Sequence, residues 1–253
     1  LYSERLAALR PAIHAEFYDP NTGNYCDGNQ VQQAFAVITG IANDSIRTQV
    51  EASIANNMLN EKKYFDMGSS GLTVLLHYLA DRSETAGITA SILNKTEFPG
   101  YGYFIDQGES TWPEDWKIDV PSKIHTCYTG IAGWLTKGLC GIQPDEKNAG
   151  YKHFIIKPFI VTEVDFAEAT VGSPYGEILS RWERKDNKII LSVTVPPNTS
   201  ATVYIPASQT GQITENGNPL NVAENVVSKG AVNGYAVVEV TSGKYKFAAE
   251  YGR

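Results

Sequence analysis

The sequence predicts a multi-domain fold in which α-helices come first and antiparallel β-strands follow. Apolar residues recur three and four positions apart in the first half of the chain, and at every second position after about Gly150. With 253 residues, of which 42% are hydrophobic and 19% charged, the chain can bury either one large core or two ordinary ones. The change of period predicts a helical domain over residues 1–148 and a β-domain over residues 149–253.

Amphipathic helices account for the first half. Three apolar stripes have helical spacing: Leu6, Leu9, Ile13 and Phe17; Ile46, Val50, Ile54 and Met58; and Leu72, Leu75, Leu76 and Leu79. Further helices are expected over residues 30–43, 83–94 and 122–140, which gives about six helices joined by short loops. Residues 97–121 break this pattern, because glycines, prolines and six aromatic residues crowd into them. An aromatic loop on a helical scaffold is a usual place for function.

Alternation with a period of two predicts the strands of the second half. Residues 189–195 and 202–205 alternate between apolar and polar side chains, as half-buried antiparallel strands do. Asn216-Gly217 is a hairpin signal between two short strands. Roughly eight short strands in about 100 residues predict an antiparallel β-sandwich of two sheets.

Composition excludes several classes of partner and cofactor. The 28 acidic residues exceed the 21 Lys and Arg, which gives a net charge of -7, so the backbone of a nucleic acid would be repelled. No apolar run approaches the roughly 20 residues of a membrane span. Cys26, Cys127 and Cys140 form no C-x-x-C pair, which argues against zinc and against a disulfide framework. We expect no metal, no organic cofactor, no nucleic acid and no membrane as partners.

The strongest chemical signal is the segment GESTWPEDW at residues 108–116, with three carboxylates and two tryptophans in nine residues. Sugar-processing sites need this combination, because tryptophan faces stack on pyranose rings and a carboxylate in a partly dry setting acts as general acid or base. In an alternative interpretation, Thr111 and Glu114 form a capping box at the start of a short helix, and both interpretations can hold together. His125 could bind a sugar hydroxyl, steady a carboxylate, or serve only as a structural hydrogen-bonding group.

The chain resembles the C-terminal part of the bacterial α-L-rhamnosidases of glycoside hydrolase family 78. GESTWPEDW is similar to the family motif GATTIWExW, with Gly108, Thr111, Glu114 and Trp116 in register, and residues 122–125 stand for its S-x-N-H. Weaker similarities follow in the family's order along most of the chain. They lie at residues 30–36, 67–79, 98–102, 134–142, 156–158, 175–176, 182, 195–198 and 242–247. The resemblance implies the second half of an (α/α)6 barrel followed by a C-terminal β-sandwich.

The resemblance also implies roles for individual residues. Glu114 is expected to be the general base. Trp116 is expected to help form the sugar pocket, and His125 to contact the substrate near the base.

Two positions of this sequence depart from the family pattern. Pro113 stands where the family usually has Trp, and Ile124 stands where it has Asn. One stacking surface and one amide contact are therefore missing or replaced. Trp112 is expected to supply the stacking surface from the neighbouring position.

The implied activity is inverting hydrolysis of terminal α-L-rhamnosyl residues from glycosides or polysaccharides, without a metal or organic cofactor. A barrel of six hairpins needs twelve helices, about twice as many as this sequence predicts. The general acid is therefore expected in the N-terminal half of the same protein, and the 253 residues alone are expected to be inactive. The periplasm or the cell exterior is favoured over the cytoplasm as the compartment.

Two alternatives stay open. The chain could be a non-catalytic carbohydrate-binding or structural module, in which the tryptophans stack on glycan and Glu114 only caps a helix. It could also be another (α/α)-barrel glycosidase, or a lyase that uses Tyr128 or His125 as its base. The lyase ranks last, because no cluster of Arg or Asn flanks the motif to neutralise a uronate.

Overall fold

Two units make up the chain in the computed structural model, which describes residues 2–207 and 213–251. They are Leu1–Gly133, which is helical, and Trp134–Arg253, which is rich in β-strands. The predicted order of helices before strands is confirmed. The domain limits 1–148 and 149–253 stay a prediction.

The helices follow one another with short connections, and two-residue strands pair after the first of them. The described α-helices are α1 (Tyr2–Phe17), α2 (Gln30–Ile38), α3 (Arg47–Asn56), α4 (Ser69–Leu79), α5 (Ala86–Leu93), α6 (Tyr101–Asp106) and α7 (Ile131–Trp134), and the strands are β1 (Tyr18–Asp19) and β2 (Asn24–Tyr25). Short 3-10 or π turns extend α3, α5 and α7 at Asn57–Glu61, Ser83–Thr85, Thr126–Gly130 and Leu135–Leu139. Among the described helices, none has the length and apolar character that crossing a bilayer requires.

The apolar stripes of α3 and α4 form the core of the helical unit, as predicted. Val50, Ile54, Leu72 and Leu75 are fully buried. The stripe of α1 behaves differently, because the described structure buries no residue of that helix. The predicted helix is therefore present, but its apolar side is not part of this core.

Three helix limits differ from the expectation. α2 ends at Ile38 rather than at residue 43, because Gly40 adopts φ +69° and stops the helix there. The loop predicted over residues 97–121 contains α6, which buries Tyr101 and Phe104 on one side. The helix predicted from residue 122 begins only at residue 126.

Nine described strands belong to the hydrogen-bonded sheet of the second unit. They are β3 (Ile142–Pro144), β4 (His153–Ile156), β5 (Phe166–Ser173), β6 (Gly176–Lys185), β7 (Lys188–Pro206), β8 (Thr214–Glu215), β9 (Asn218–Pro219), β10 (Val226–Val232) and β11 (Tyr235–Glu250). Neighbours follow the order β3-β4-β7-β11-β8-β9, while β6 joins β5 to β7 and β10 pairs with β11. The predicted hairpin at Asn216-Gly217 is confirmed, since it joins β8 to β9 with φ of 47° and 85°.

The sheet departs from the predicted antiparallel sandwich in two respects. β4 runs parallel to β7, with His153 opposite Ser200, so the sheet is mixed. Parallel neighbours need a long connection, and here β5 and β6 supply it. The described strands also form one connected hydrogen-bonded network, rather than two clearly separate sheets.

Two strands are much longer than the short ones predicted. β7 has 19 residues and β11 has 16, and they pair along most of their length. The turn-like residues of this region lie inside the strands instead of ending them. Asn198 takes φ 61°, and the register of β11 shifts between Thr241 and Gly243, so the pair absorbs the irregularity as a bulge.

Buried tryptophan and hydroxyl groups fasten the sheet to the chain that precedes it. Trp182 on β6 is fully buried and donates from Nε1 to the carbonyl of Leu139 at 2.8 Å. Ser180 donates to the carbonyl of Cys140 at 2.6 Å. These contacts satisfy polar groups that burial would otherwise penalise.

β10 pairs with β11 alone among the described strands. Its register shifts between Ser228 and Gly230. Lys229 lies at this shift and forms an ion pair with Glu239 at 2.9 Å.

Candidate active site

The candidate site lies on an irregular segment of residues 107–125, which we call the site loop. The segment runs from the end of α6 to the 3-10 turn Thr126–Gly130 and contains neither helix nor strand. Gly108 starts it with φ +77°, while its N–H donates to the carbonyl of Ile105 at 3.0 Å. Glu109 donates its N–H to Phe104 at 2.9 Å, which completes the helix end and turns the chain away from α6.

Bonds across the site loop join its two arms. The N–H of His125 donates to the carbonyl of Trp112 at 2.8 Å, and the N–H of Glu114 donates to the carbonyl of Ser122 at 3.1 Å. The hydroxyl of Thr111 donates to the carbonyl of Lys123. These bonds bring the backbones of Glu114 and His125 to neighbouring positions.

The capping-box interpretation of Thr111 and Glu114 is wrong. A capping threonine accepts a hydrogen bond from the N–H three residues later. Here the Thr111 hydroxyl donates to Lys123 and the Glu114 N–H donates to Ser122, and no helix begins at this point of the described chain. The motif instead shapes the site loop.

Five aromatic side chains pack beneath and beside the loop, and we call them the aromatic cluster. They are Tyr101, Phe104, Trp112, Trp116 and Tyr128. Trp116 stacks on Phe104 with ring centroids 5.6 Å apart at 15°, and meets Tyr128 edge-on at 4.8 Å. Such contacts each add about 0.5–1.5 kcal/mol beyond area burial.

Trp116 lies deep in this cluster. It is only 7% exposed, and its Nε1 donates to the carbonyl of Met67 at 2.7 Å. Its position suits a wall of the site beneath the surface. Direct contact of Trp116 with a sugar stays a prediction.

Gln30, at the start of α2, holds the segment that receives Trp116. Its fully buried amide donates from Nε2 to Asn57 Oδ1 and to the carbonyl of Tyr64, both at 2.8 Å. Its Oε1 accepts the N–H of Asp66 at 3.3 Å. These partners lie 27 to 36 positions further along the chain, so no local pattern around Gln30 indicates them.

Glu114 differs from the other two carboxylates of the motif. Glu109 forms an ion pair with Lys123, and Asp115 accepts the N–H of Lys117 at 3.3 Å. The half-buried side chain of Glu114 makes no hydrogen bond or ion pair within the described residues. Glu114 is therefore the carboxylate of the motif that stays available for a ligand or a water molecule.

Trp112 and His125 lie on opposite arms of the loop, where their backbones pair close to the bond between Glu114 and Ser122. Trp112 is half-buried and meets Tyr101 edge-on, with centroids 5.1 Å apart at 89°. His125 is half-buried, and its ring has no hydrogen-bond partner among the residues described. Ile124 is 77% exposed, so the position where the family has Asn presents an apolar side chain to the surface.

Tyr128 is ill suited to act as a base. Its hydroxyl is buried and finds no hydrogen-bond partner in the described part of the chain. Burial, and to a lesser extent the negative charge of Asp115, raises the pKa of Tyr128 to about 12. Near neutral pH the hydroxyl therefore keeps its proton, which weighs against the lyase alternative that used Tyr128.

A metal site is not evident in the residues described. Across residues 2–207 and 213–251, no three His, Cys, Asp or Glu side chains gather as ligands of one ion would. The carboxylates of the motif are arranged instead around an ion pair, a turn and the unpartnered Glu114.

Fold and site together define a helical domain that carries an aromatic loop with carboxylates, followed by a β-rich domain. The family model of the bacterial alpha-L-rhamnosidase six-hairpin glycosidase domain matches residues 1–139. The model of the bacterial alpha-L-rhamnosidase C-terminal domain matches residues 141–219. The chain therefore belongs to the bacterial alpha-L-rhamnosidase family.

Curated relatives agree with this assignment. The chain is 27% identical over 256 residues to an alpha-L-rhamnosidase of Streptomyces avermitilis, which covers 97% of this chain and 24% of the relative. It is 26% identical over 266 residues to an alpha-L-rhamnosidase of Formosa agariphila, which covers 99% of this chain and 28% of the relative. The chain thus spans about a quarter of the length of the curated relatives that it matches.

Solved structures share the fold. The crystal structure of the Streptomyces avermitilis alpha-L-rhamnosidase complexed with L-rhamnose superposes with a TM-score of 0.87 at 26% identity, over 98% of this chain and 24% of that one. The alpha-L-rhamnosidase from Dictyoglumus thermophilum gives a TM-score of 0.86 at 19% identity, over 98% and 28%, and shows the fold alone. The predicted partial (α/α)6 barrel with a following β-region is confirmed by these matches.

Proposed function

We propose that this chain supplies the water-activating half of the active site of an inverting α-L-rhamnosidase, with Glu114 as the general base. One observation carries the proposal: Glu114 is the motif carboxylate left without a partner in the described structure, and its backbone lies on the paired arms of the site loop that also carry Trp112 and His125. Its match to the family motif and the L-rhamnose complex of the Streptomyces relative support the same conclusion.

Glu114 serves as the base of an inverting hydrolysis in this proposal. Glu114 takes a proton from water as the water oxygen attacks C1 of a terminal α-L-rhamnosyl residue. The C1–O bond to the leaving group breaks as an acid protonates the leaving oxygen, and the anomeric centre is inverted. In such enzymes the two carboxyl groups lie about 6.5–9.5 Å apart. We assign that acid to the rest of the complete protein.

The neighbouring side chains fit supporting roles. Trp112 offers a partly exposed ring whose face can cover the apolar side of the sugar, and its contact with Tyr101 holds that ring against the aromatic cluster. The ring nitrogens of His125, which have no partner among the described residues, can bind a sugar hydroxyl. The substrate is a rhamnose-containing glycoside or polysaccharide, and no cofactor takes part.

Replacement of the base tests the proposal. In the complete product of the gene that encodes this chain, Glu114→Gln is expected to lower kcat on an aryl α-L-rhamnoside by about 10²–10⁴-fold, because the amide cannot take a proton. Steady-state release of the aryl alcohol measures the effect. Azide is expected to restore turnover to Glu114→Ala, because an anionic nucleophile needs no base.

The matched control is the adjacent exposed carboxylate. Asp115→Asn is expected to keep kcat close to that of the parent protein. Near-parental turnover by Glu114→Gln would show that Glu114 is not the base. Rhamnoside binding without any turnover by the parent protein would instead favour the non-catalytic carbohydrate-binding module.

A further inference from the structure

Lys123 occupies an unusual position on the site loop. Its ammonium Nζ lies 2.8 Å from Glu109 Oε1 and also donates to the carbonyl of Ile118. Its own carbonyl accepts the hydroxyl of Thr111. One residue therefore connects the beginning of the loop, its far turn and the arm that carries Glu114.

The neighbours of Lys123 in sequence make the two backbone contacts that define the site. Ser122 precedes it and accepts the N–H of Glu114, whereas His125 follows two residues later and donates to Trp112. A displacement of Lys123 would move both contacts, because only one residue separates it from His125. The orientation of Glu114 relative to His125 thus depends on where Lys123 is held.

The charge of Lys123 also matters to the carboxylates of the loop. The side chain of Glu109 is only 19% exposed, so its negative charge is partly removed from water and needs a partner. Lys117, the other lysine of the loop, forms no side-chain hydrogen bond or ion pair within the described residues. Lys123 neutralises Glu109, and of the three carboxylates of the motif Glu114 is the one without a partner among the described residues.

We propose that Lys123 is a positioning residue, whose ammonium ties Glu109 to the far turn of the site loop and thereby orients Glu114 and His125 for the reaction. Its effect on turnover rests on the proposed function of Glu114. Its effect on the conformation of the loop does not, and this difference allows the two proposals to be tested separately.

Hydrogen exchange on the complete product of the gene that encodes this chain tests the conformational part. In Lys123→Met, the amides of Glu114 and His125 are expected to exchange at least about tenfold faster, because their cross-loop bonds open more often. Lys117→Met, on the same loop, is expected to leave them unchanged. Unchanged exchange in Lys123→Met would overturn the proposal, whatever the enzyme does.

Kinetics on the complete gene product test the catalytic part. Lys123→Met is expected to lower kcat by about 10–100-fold with a much smaller change in KM, because a displaced base costs rate more than affinity. Lys123→Arg is expected to recover most of the rate, since it keeps the charge and the donors. A kcat within twofold of the parent for Lys123→Met would overturn the effect of Lys123 on turnover.

The partner carboxylate gives a second, independent variant. Glu109→Gln is expected to lower kcat less than Lys123→Met, and the double variant is expected to be no slower than Lys123→Met alone, because both act through one contact. Additive losses would overturn the proposal. A loss from Glu109→Gln as large as that from Glu114→Gln would also overturn it, since Glu109 would then act on the reacting atoms themselves.

The two proposals fail in different ways. If Glu114→Gln keeps full turnover while exchange in Lys123→Met accelerates, the assignment of the base is wrong. The positioning role of Lys123 in the loop is then still supported. If Glu114→Gln loses turnover while Lys123→Met changes neither exchange nor rate, Glu114 is supported as the base. The positioning role of Lys123 is then wrong.

Discussion

The site loop and β7 are segments of similar length that keep their positions by opposite means. β7 spans 19 residues and forms backbone ladders with β4, β6 and β11. The site loop has two backbone bonds between its arms, one hydroxyl bond and the contacts of Lys123. A strand is thus placed by many equivalent bonds, and this loop by a few particular side chains.

This difference separates stability from chemistry. Loss of one side chain in β7 or its neighbours removes buried apolar area but leaves the ladder of backbone bonds in place. Loss of one side chain near the site loop can redirect the base while the rest of the chain stays folded. Substitutions in β7 and its neighbours are therefore expected to lower the stability of the fold. Substitutions near the site loop are expected to displace the base while the chain stays folded.

The largest expected effect on stability lies in the β-rich unit. Trp182→Ala is expected to lower the free energy of unfolding by about 3–5 kcal/mol, because it empties a fully buried site and loses the bond to Leu139. Urea unfolding followed by circular dichroism measures it. Trp112→Ala, in the site loop, is the contrast, with an expected loss of about 1 kcal/mol. Equal losses of unfolding free energy in Trp182→Ala and Trp112→Ala would contradict this difference between the β-rich unit and the site loop.

The next effect tests how far the site loop depends on a distant helix. Gln30→Met is expected to destabilise the chain, because it leaves Asn57, Tyr64 and Asp66 without their buried partner, and each unsatisfied group costs about 1–3 kcal/mol. It is also expected to alter the fluorescence of the tryptophans, since the segment that receives Trp116 moves.

The control for that variant lies in the same turn of α2. Gln32 accepts the N–H groups of Asp27 and Asn29 in a less buried setting, so Gln32→Met is expected to cost no more than about 1 kcal/mol. A larger loss from Gln32→Met than from Gln30→Met would contradict the role assigned to the buried amide.

The smallest effect concerns two tyrosines of the aromatic cluster. Tyr128→Phe removes a hydroxyl that has no described partner, so it is expected to be neutral or slightly stabilising at neutral pH. Tyr101→Phe removes a 2.7 Å bond to the carbonyl of Tyr128 and is expected to cost about 0.5–1.5 kcal/mol. Thermal melts at pH 7 compare the two, and the reverse order would be inconsistent with the described hydrogen bonds.

The effect of Tyr128→Phe on the free energy of unfolding is also expected to depend on pH. The pKa of Tyr128 is about 12 in the folded chain and about 10 in an unfolded one, so its contribution to stability is complete below pH 10 and is lost as the pH rises towards 12. Tyr128→Phe is therefore expected to lose less stability than the parent over this interval. Urea unfolding at pH 9, 10 and 11 measures the difference, and identical curves would contradict it.

The sequence predicted features that local patterns encode. Helical spacing identified α3 and α4, and Asn216-Gly217 identified the β8–β9 hairpin because such residues tolerate positive φ. Crowded carboxylates and tryptophans pointed to the segment around Glu114. The roles of Glu114, Trp112, Trp116 and His125 stay predictions.

Contacts between residues far apart in the sequence could not be predicted from local patterns. The bond between Lys123 and Glu109 joins residues 14 positions apart, and the bond between Trp116 and Met67 joins residues 49 positions apart. No periodic pattern in the sequence indicates either bond. The same holds for the parallel pairing of β4 with β7, which depends on where two intervening strands fit. Prolines 196 and 197 lie inside β7, and backbone bulging allows the strand to continue through them.

The irregular edge at β10 has a consequence for the behaviour of the protein in concentrated solution. A flat strand with free backbone groups is a template on which another chain can add a strand, and this process leads to aggregation. The register shift between Ser228 and Gly230 interrupts that template, and the charge of Lys229 at the shift opposes the approach of a second sheet. Colloidal solubility of this chain therefore depends in part on Ser228, Lys229 and Gly230, which lie outside the site loop.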